Sequence, residues 1–150
     1  MKRILGILLV SLVLGCNEVN NSLGNGYKLF IDEGGYTVSI CDSMNIQKIE
    51  AYILDCKFDS NFIIAIQSPP DSLPPMKKIV YTDSDRKEII SNDKVFRQYW
   101  IINKREKEIY SYDSLTQKAK YSNIYGPYNK LEYLKQRQIL KVPEKLKLEN

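Results

Sequence analysis

At 150 residues, 43% hydrophobic and 27% charged, the chain is long enough for one domain with a real core. It is too short for two ordinary domains and too apolar to be disordered. It has no histidine, which excludes Ser-His-Asp and Cys-His catalysis, HExxH zinc hydrolysis and a histidine pH switch.

The formal charge of +4 is unevenly spread: residues 16–75 carry three lysines and eight acids, residues 76–150 seventeen basic and ten acidic side chains. The plain reading is that the halves pack together and neutralise each other. The sharper one is a basic face for anionic lipid headgroups or an acidic partner. No basic helix or recognition motif points to nucleic acid, which is not expected as a partner.

Lys2 and Arg3 precede an uncharged apolar run, Ile4–Gly15. A spanning helix needs roughly 20 apolar residues, so this shorter run reads as a signal-peptide core. Its end, Val13-Leu14-Gly15-Cys16, resembles the lipobox of bacterial lipoproteins. That resemblance implies cleavage after Gly15, a diacylglycerol (palmitate-type) thioether and an N-acyl chain on Cys16, and anchoring in the membrane of the cell envelope. Asn17 then points to the outer rather than the inner membrane of a Gram-negative cell.

The expected organisation is a signal peptide over 1–15, a lipidated tether over 16–26, one β-rich domain over 27–143 and a tail over 144–150. "NEVNNSLGNG", residues 17–26, is polar and glycine-containing, as a tether should be. Tyr27–Asp32 and Tyr36–Cys41 read as strands, the second alternating apolar and polar residues. Ile49–Phe58 and Phe62–Gln67 are apolar on both faces, like central strands, with Asp59-Ser60-Asn61 as the turn between them. The prolines of "SPPDSLPP", residues 68–75, make a surface loop.

Asp83–Asn92 is a short helix candidate, and Val95–Asn103 a strand. Lys104–Lys107 reads as a turn leading into Glu108–Tyr112, while Ser114–Tyr121 fits a short helix or a long loop. Gly126-Pro127 is expected to turn the chain after Ile124-Tyr125. Asn129 with Glu132 makes a capping-box helix start. At 100° per residue Leu131, Leu134, Ile139 and Val142 share a face, and Pro143 stops the helix. The expected fold class is α+β, mainly β: an antiparallel meander of five to seven strands with a C-terminal helix.

Of the three cysteines, Cys16 is taken by the lipid. Cys41 and Cys56 are either two buried free thiols, the plainer reading, or a disulfide permitted by an oxidising envelope. Trp100, the only tryptophan, could be a stacking platform, and Tyr121, Tyr125, Tyr128 and Tyr133 around Gly-Pro could line a partner-contact patch. Core packing is the ordinary explanation for all five. Asp83 and Asp85 lack the glycine and glutamate of a calcium loop, so no metal is expected. Asp55 and Asp59 come with no sign of a groove or a raised carboxyl pKa, so no catalytic residue and no enzyme activity is expected. No cofactor beyond the lipid is implied.

Together, the lipobox, "LGNGYKLF", "AYILDCKFDSNFIIAIQ", "YWIINK" and "YGPYNKLEYLKQRQILKVP" resemble an uncharacterised domain-of-unknown-function family of small bacterial lipoproteins. The resemblance implies location and fold class but no activity and no catalytic residues. The expected function is therefore a non-enzymatic, lipid-anchored envelope lipoprotein whose β-domain binds a protein partner. Its alternatives are an immunity or inhibitor lipoprotein against an envelope-acting effector, and a glycan or small-ligand binder using Trp100.

Overall fold

The computed structural model describes residues 21–32, 37–69, 84, 88, 91, 92, 95–115 and 117–148, which form ten strands and a C-terminal helix. The class is as expected, mainly antiparallel β, but the strands make three sheets rather than one meander. The first sheet runs β1 (Ser22–Gly24), β2 (Tyr27–Ile31), β3 (Val38–Cys41), β4 (Gln47–Ile49), in sequence order. The second has β5 (Ile53–Phe58), β6 (Phe62–Gln67), β7 (Gln98–Asn103) and β10 (Ile124–Tyr128), ordered β10-β7-β6-β5. The third is the hairpin of β8 (Tyr110–Asp113) and β9 (Lys118–Tyr121).

The second sheet is the middle layer, because side chains alternate across a strand and both faces of β6 are apolar. Ile63, Ala65 and Ile102 meet Leu23, Tyr27, Val38, Ile40 and Ile49 of the first sheet. Phe62, Ile64, Ile66, Tyr99 and Ile101 form the opposite core with Tyr133, Val142, Leu146 and Leu148. The turn at Asp59 is closed as its composition suggests: the carboxylate accepts the amides of Asn61 at 2.7 Å and Phe62 at 2.8 Å.

Five sequence expectations change. Residues 22–26 are not tether but fold: Leu23 is buried, and its carbonyl accepts the ammonium of Lys104 at 2.7 Å. Ile49–Phe58 is two strands rather than one. Tyr52 adopts φ 72°, and the Gln67 side-chain amide donates to the carbonyls of Glu50 and Ala51, both at 3.0 Å, as the chain passes between sheets.

Gly126-Pro127 lies inside β10 rather than at its end, in a bulge between the Tyr125–Ile101 and Tyr128–Tyr99 pairs, and its peptide bond is cis. The tail is docked rather than frayed, with Leu146 and Leu148 buried and the Arg137 guanidinium donating to the carbonyls of Pro143 at 3.1 Å and Leu146 at 2.7 Å.

The fifth change is the helix face. The helix, Lys130–Leu140, begins with the expected Asn129–Glu132 capping box, but it buries Tyr133. Leu131, Leu134 and Ile139 are 63%, 47% and 70% exposed, while Val142 is buried beyond the helix end. Tyr133 wins the core position because its ring stacks on Tyr99 at 4.9 Å and its hydroxyl accepts Arg137 at 2.9 Å. The loop from residue 70 to 75, Asp83 and Asp85 lie outside the described residues. So does most of Asp83–Asn92, of which Ser84, Glu88 and Ser91 are helical.

Candidate functional site

Ser114–Tyr121, open between helix and loop in the sequence, supplies β9 and the tip of a hairpin. The period-2 alternation of Tyr110 and Tyr112 with Ser111 and Asp113 puts both tyrosines on one face, opposite Tyr121 and Ala119. At the tip the Asp113 carboxylate accepts the Leu115 amide at 3.0 Å, and Gln117 takes φ 53°. Leu115 is 94% exposed, and Ile109, Tyr110 and Tyr112 are also exposed. Four large apolar or aromatic side chains thus project from an element that contributes none of them to a core.

A two-stranded hairpin is marginal alone, so its mooring matters. The Lys48 ammonium on β4 meets the Glu108 carboxylate at 2.5 Å and Asp42 at 3.3 Å, and lies 3.8 Å from the Tyr121 ring centroid. The Lys48 side chain is only 3% exposed. Tyr27 donates its hydroxyl to Glu108 at 3.1 Å and accepts the Asn123 side-chain amide at 2.9 Å. Nearer the tip, Lys118 pairs with Glu50 at 3.8 Å on an exposed surface, a contact worth little. This cluster around the shielded Lys48 ammonium therefore sets where the hairpin points.

Burial alone would raise the Asp42 pKa, but the Ile46 amide, the Lys48 ammonium and the Met44 amide hold it below its ordinary value. Burial alone would lower that of Lys48, but bonding and charge from Glu108, then Asp42, raise it. A depressed carboxylate stabilises above its unfolded pKa and loses this as pH falls through the folded value. A raised lysine stabilises below its unfolded pKa and loses this as pH rises through the folded value. The mooring is therefore complete between the carboxylate and lysine ranges and weakens at both extremes. Urea midpoints measured against pH are expected to show a plateau there, with a shallower acid limb in Lys48→Met.

The residues singled out in the sequence do not form one site. Trp100 packs on the first-sheet face of the middle layer, Tyr125 and Tyr128 on the helix face, so no common patch exists. The half-buried Trp100 donates its indole N–H to Gln67 at 2.8 Å. Tyr125 donates to Glu106 at 2.7 Å, and burial with that bond pushes its pKa up to about 12. Burial, then Glu132, raises Tyr128 as well. Asp55 pairs with Lys57 at 3.5 Å, and Asp59 closes its turn. Cys16 lies outside the described residues.

Cys41 and Cys56 are free thiols in different sheets. Burial, then the Asp55 charge, pushes the Cys56 thiol up to about 12, leaving almost no thiolate near neutrality. Ellman's reagent is therefore expected to modify Cys56 only when the protein unfolds. Two thiols should titrate in unreduced, unfolded mature protein; a count of zero would mean a bridge.

Sequence reasoning missed the roles of Lys48 and Glu108 and read only the first half of the hairpin. Its signal was the Tyr-Ser-Tyr-Asp alternation, overshadowed by Ser114–Tyr121. Among the described residues no helix is long and apolar enough to cross a membrane, and no group of His, Cys, Asp and Glu could hold a metal. No curated protein and no solved structure matches the chain. A family model described as a protein of unknown function (DUF3997) matches residues 24–150, and the chain belongs to that family.

Proposed function

We propose that this chain is a lipid-anchored, non-enzymatic protein of the bacterial envelope whose β-domain grips a protein partner through the β8–β9 hairpin. The observation that carries the reading is the hairpin itself: exposed Ile109, Tyr110, Tyr112 and Leu115 on an arm fixed by the Lys48–Glu108 ion pair, of which only the lysine side chain is buried. Tyrosine is enriched in binding hot spots because it offers large area for little rotamer entropy, and a rigid arm loses less on binding. The anchor rests on Val13-Leu14-Gly15-Cys16 behind a short apolar run. The glycan alternative is disfavoured by Trp100, whose indole N–H is already used and whose ring meets the backbone of Gly126.

Because Tyr112 is exposed, Tyr112→Ser is expected to change unfolding stability by less than about 0.5 kcal/mol. It should weaken partner binding about 30-fold, the cost of a 2 kcal/mol hot spot, by titration calorimetry with the purified partner. Equal affinity of Tyr112→Ser and wild type would refute this role. For the anchor, Cys16→Ser is expected to leave an unlipidated precursor; normal lipid labelling and detergent partitioning of that variant would exclude the assignment.

A further inference from the structure

β8 is the outer strand of the hairpin. Its companion β9 faces β4, where the Lys48 ammonium lies over Tyr121 and Lys118 pairs with Glu50. Ile109, Tyr110, Ser111 and Tyr112 are exposed in succession, so both faces of β8 are open. Its backbone is open as well. The Ile109 carbonyl accepts the Ser122 N–H at 3.0 Å, and the register continues with Ser111 opposite Lys120 and Asp113 opposite Lys118. Bonded and non-bonded pairs alternate along an antiparallel ladder. Ser111 and Asp113 therefore turn their peptide groups toward β9, and Tyr110 and Tyr112 turn theirs outward. Among the described residues no strand pairs with that edge.

The other sheet edges are poor templates. β1 and β4 have three residues each and a break in register, β5 breaks register after Ile53, and β10 carries its bulge and Pro127. Such devices keep an edge from recruiting another strand. β8 has none of them: its register is continuous, and it holds neither proline nor lysine.

Resting on the reading that the hairpin binds a protein, we infer that its partner is a second copy of this chain. The two join antiparallel, β8 to β8, about a two-fold axis through Ser111. Tyr-Ser-Tyr reads the same in both directions, which suits an interface that must complement itself. Tyr110 of each copy meets Tyr112 of the other, and each such pair exchanges two backbone bonds, so the outward groups are all satisfied. The tyrosine rings then line one face of a continuous sheet, as cross-strand aromatic pairs. Charge agrees with this register. Asp113 falls opposite Ile109 of the second copy and diagonal to its exposed Lys107, and no like charges face each other. An axis moved to Tyr110 or Tyr112 would instead pair a tyrosine with Glu108 or Ser114, both outside β8.

The test is mild oxidation of the purified mature protein carrying Ser111→Cys, with Lys120→Cys and Leu115→Cys as exposed controls. Across the axis the two residue-111 Cα atoms lie about 4.5 Å apart, within disulfide reach. The two residue-120 Cα atoms, each one strand further out, lie about 14 Å apart at roughly 4.8 Å per strand. Near-complete conversion to a 111–111 disulfide dimer, identified by mass spectrometry of the linked peptides, is expected while both controls stay monomeric. Adding Tyr112→Pro should abolish the dimer, because the lost N–H points away from β9 and the hairpin ladder stays intact. A monomeric Ser111→Cys protein, equal dimer yields at all three positions, or a dimer undiminished by Tyr112→Pro overturns the pairing. The premise fails separately. If Ser111→Cys stays monomeric and Tyr112→Ser loses a different envelope protein, the second copy is wrong and the hairpin remains a docking site. If Tyr112→Ser keeps its partner, the hairpin itself is excluded.

Discussion

Gly126→Ala is expected to cost about 3 kcal/mol of unfolding stability, combining backbone strain with overpacking. Gly126 sits at φ 130°, where an L side chain is strained whatever the space around it. A Cβ there would lie 2.7 Å from the Tyr99 carbonyl oxygen and 2.9 Å from Cε3 of Trp100. The oxygen belongs to the backbone of β7, an interior strand of the middle sheet, and cannot swing aside. Trp100 is held through its indole bond to Gln67, which in turn secures the crossing at Glu50 and Ala51. The clash therefore reaches from β10 to the link between sheets. Urea denaturation should show a lower midpoint with an unchanged slope. A loss under about 1 kcal/mol would mean that β10 can shift away from β7 at little cost.

Glu108→Ala is expected to cost about 2 kcal/mol, with the loss concentrated in the hairpin. Removing one partner of a buried ion pair leaves the other charge uncompensated, which costs roughly 3–5 kcal/mol in full burial. Glu108 is a third exposed, and Asp42 remains 3.3 Å from Lys48, so the lower figure applies. Tyr27 loses its acceptor in the same step. Pairing Glu108→Ala with Lys48→Met should recover part of the loss, because the uncompensated ammonium is then gone. Amide hydrogen exchange in β8 and β9 should rise well before exchange in β6. Uniform exchange changes across both sheets would show that the cluster supports the whole fold rather than the arm.

The strands and turns legible in the sequence are those whose chemistry is local. Asp59-Ser60-Asn61 carries its own hydrogen-bonding groups, Asn129–Glu132 is a reciprocal cap, and Phe62–Gln67 is apolar throughout. What could not be read depends on partners distant in sequence. Glu50–Tyr52 crosses between sheets because Gln67 supplies donors, and nothing local marks that exchange. Leu131, Leu134 and Ile139 have helical spacing, yet the Tyr99 stack gives the core face to Tyr133. Leu23 lies in a tether-like composition and is buried only because β2 and Lys104 receive β1. The hairpin was half legible: its tyrosine alternation is local, but its mooring spans 60 residues from Lys48 to Glu108.

The moored tyrosine hairpin is proposed above as the partner-binding surface of a lipid-anchored domain. Its most direct measurement is quantitative affinity capture of the lipidated protein from its own envelope, wild type beside a folded variant carrying Tyr110→Ser, Tyr112→Ser and Leu115→Ser. One protein is expected to be retained in near-stoichiometric yield by the wild type and lost from the variant, with equal lipidation and equal urea midpoints. Retention of the same protein by both, or of none by the wild type, would contradict it.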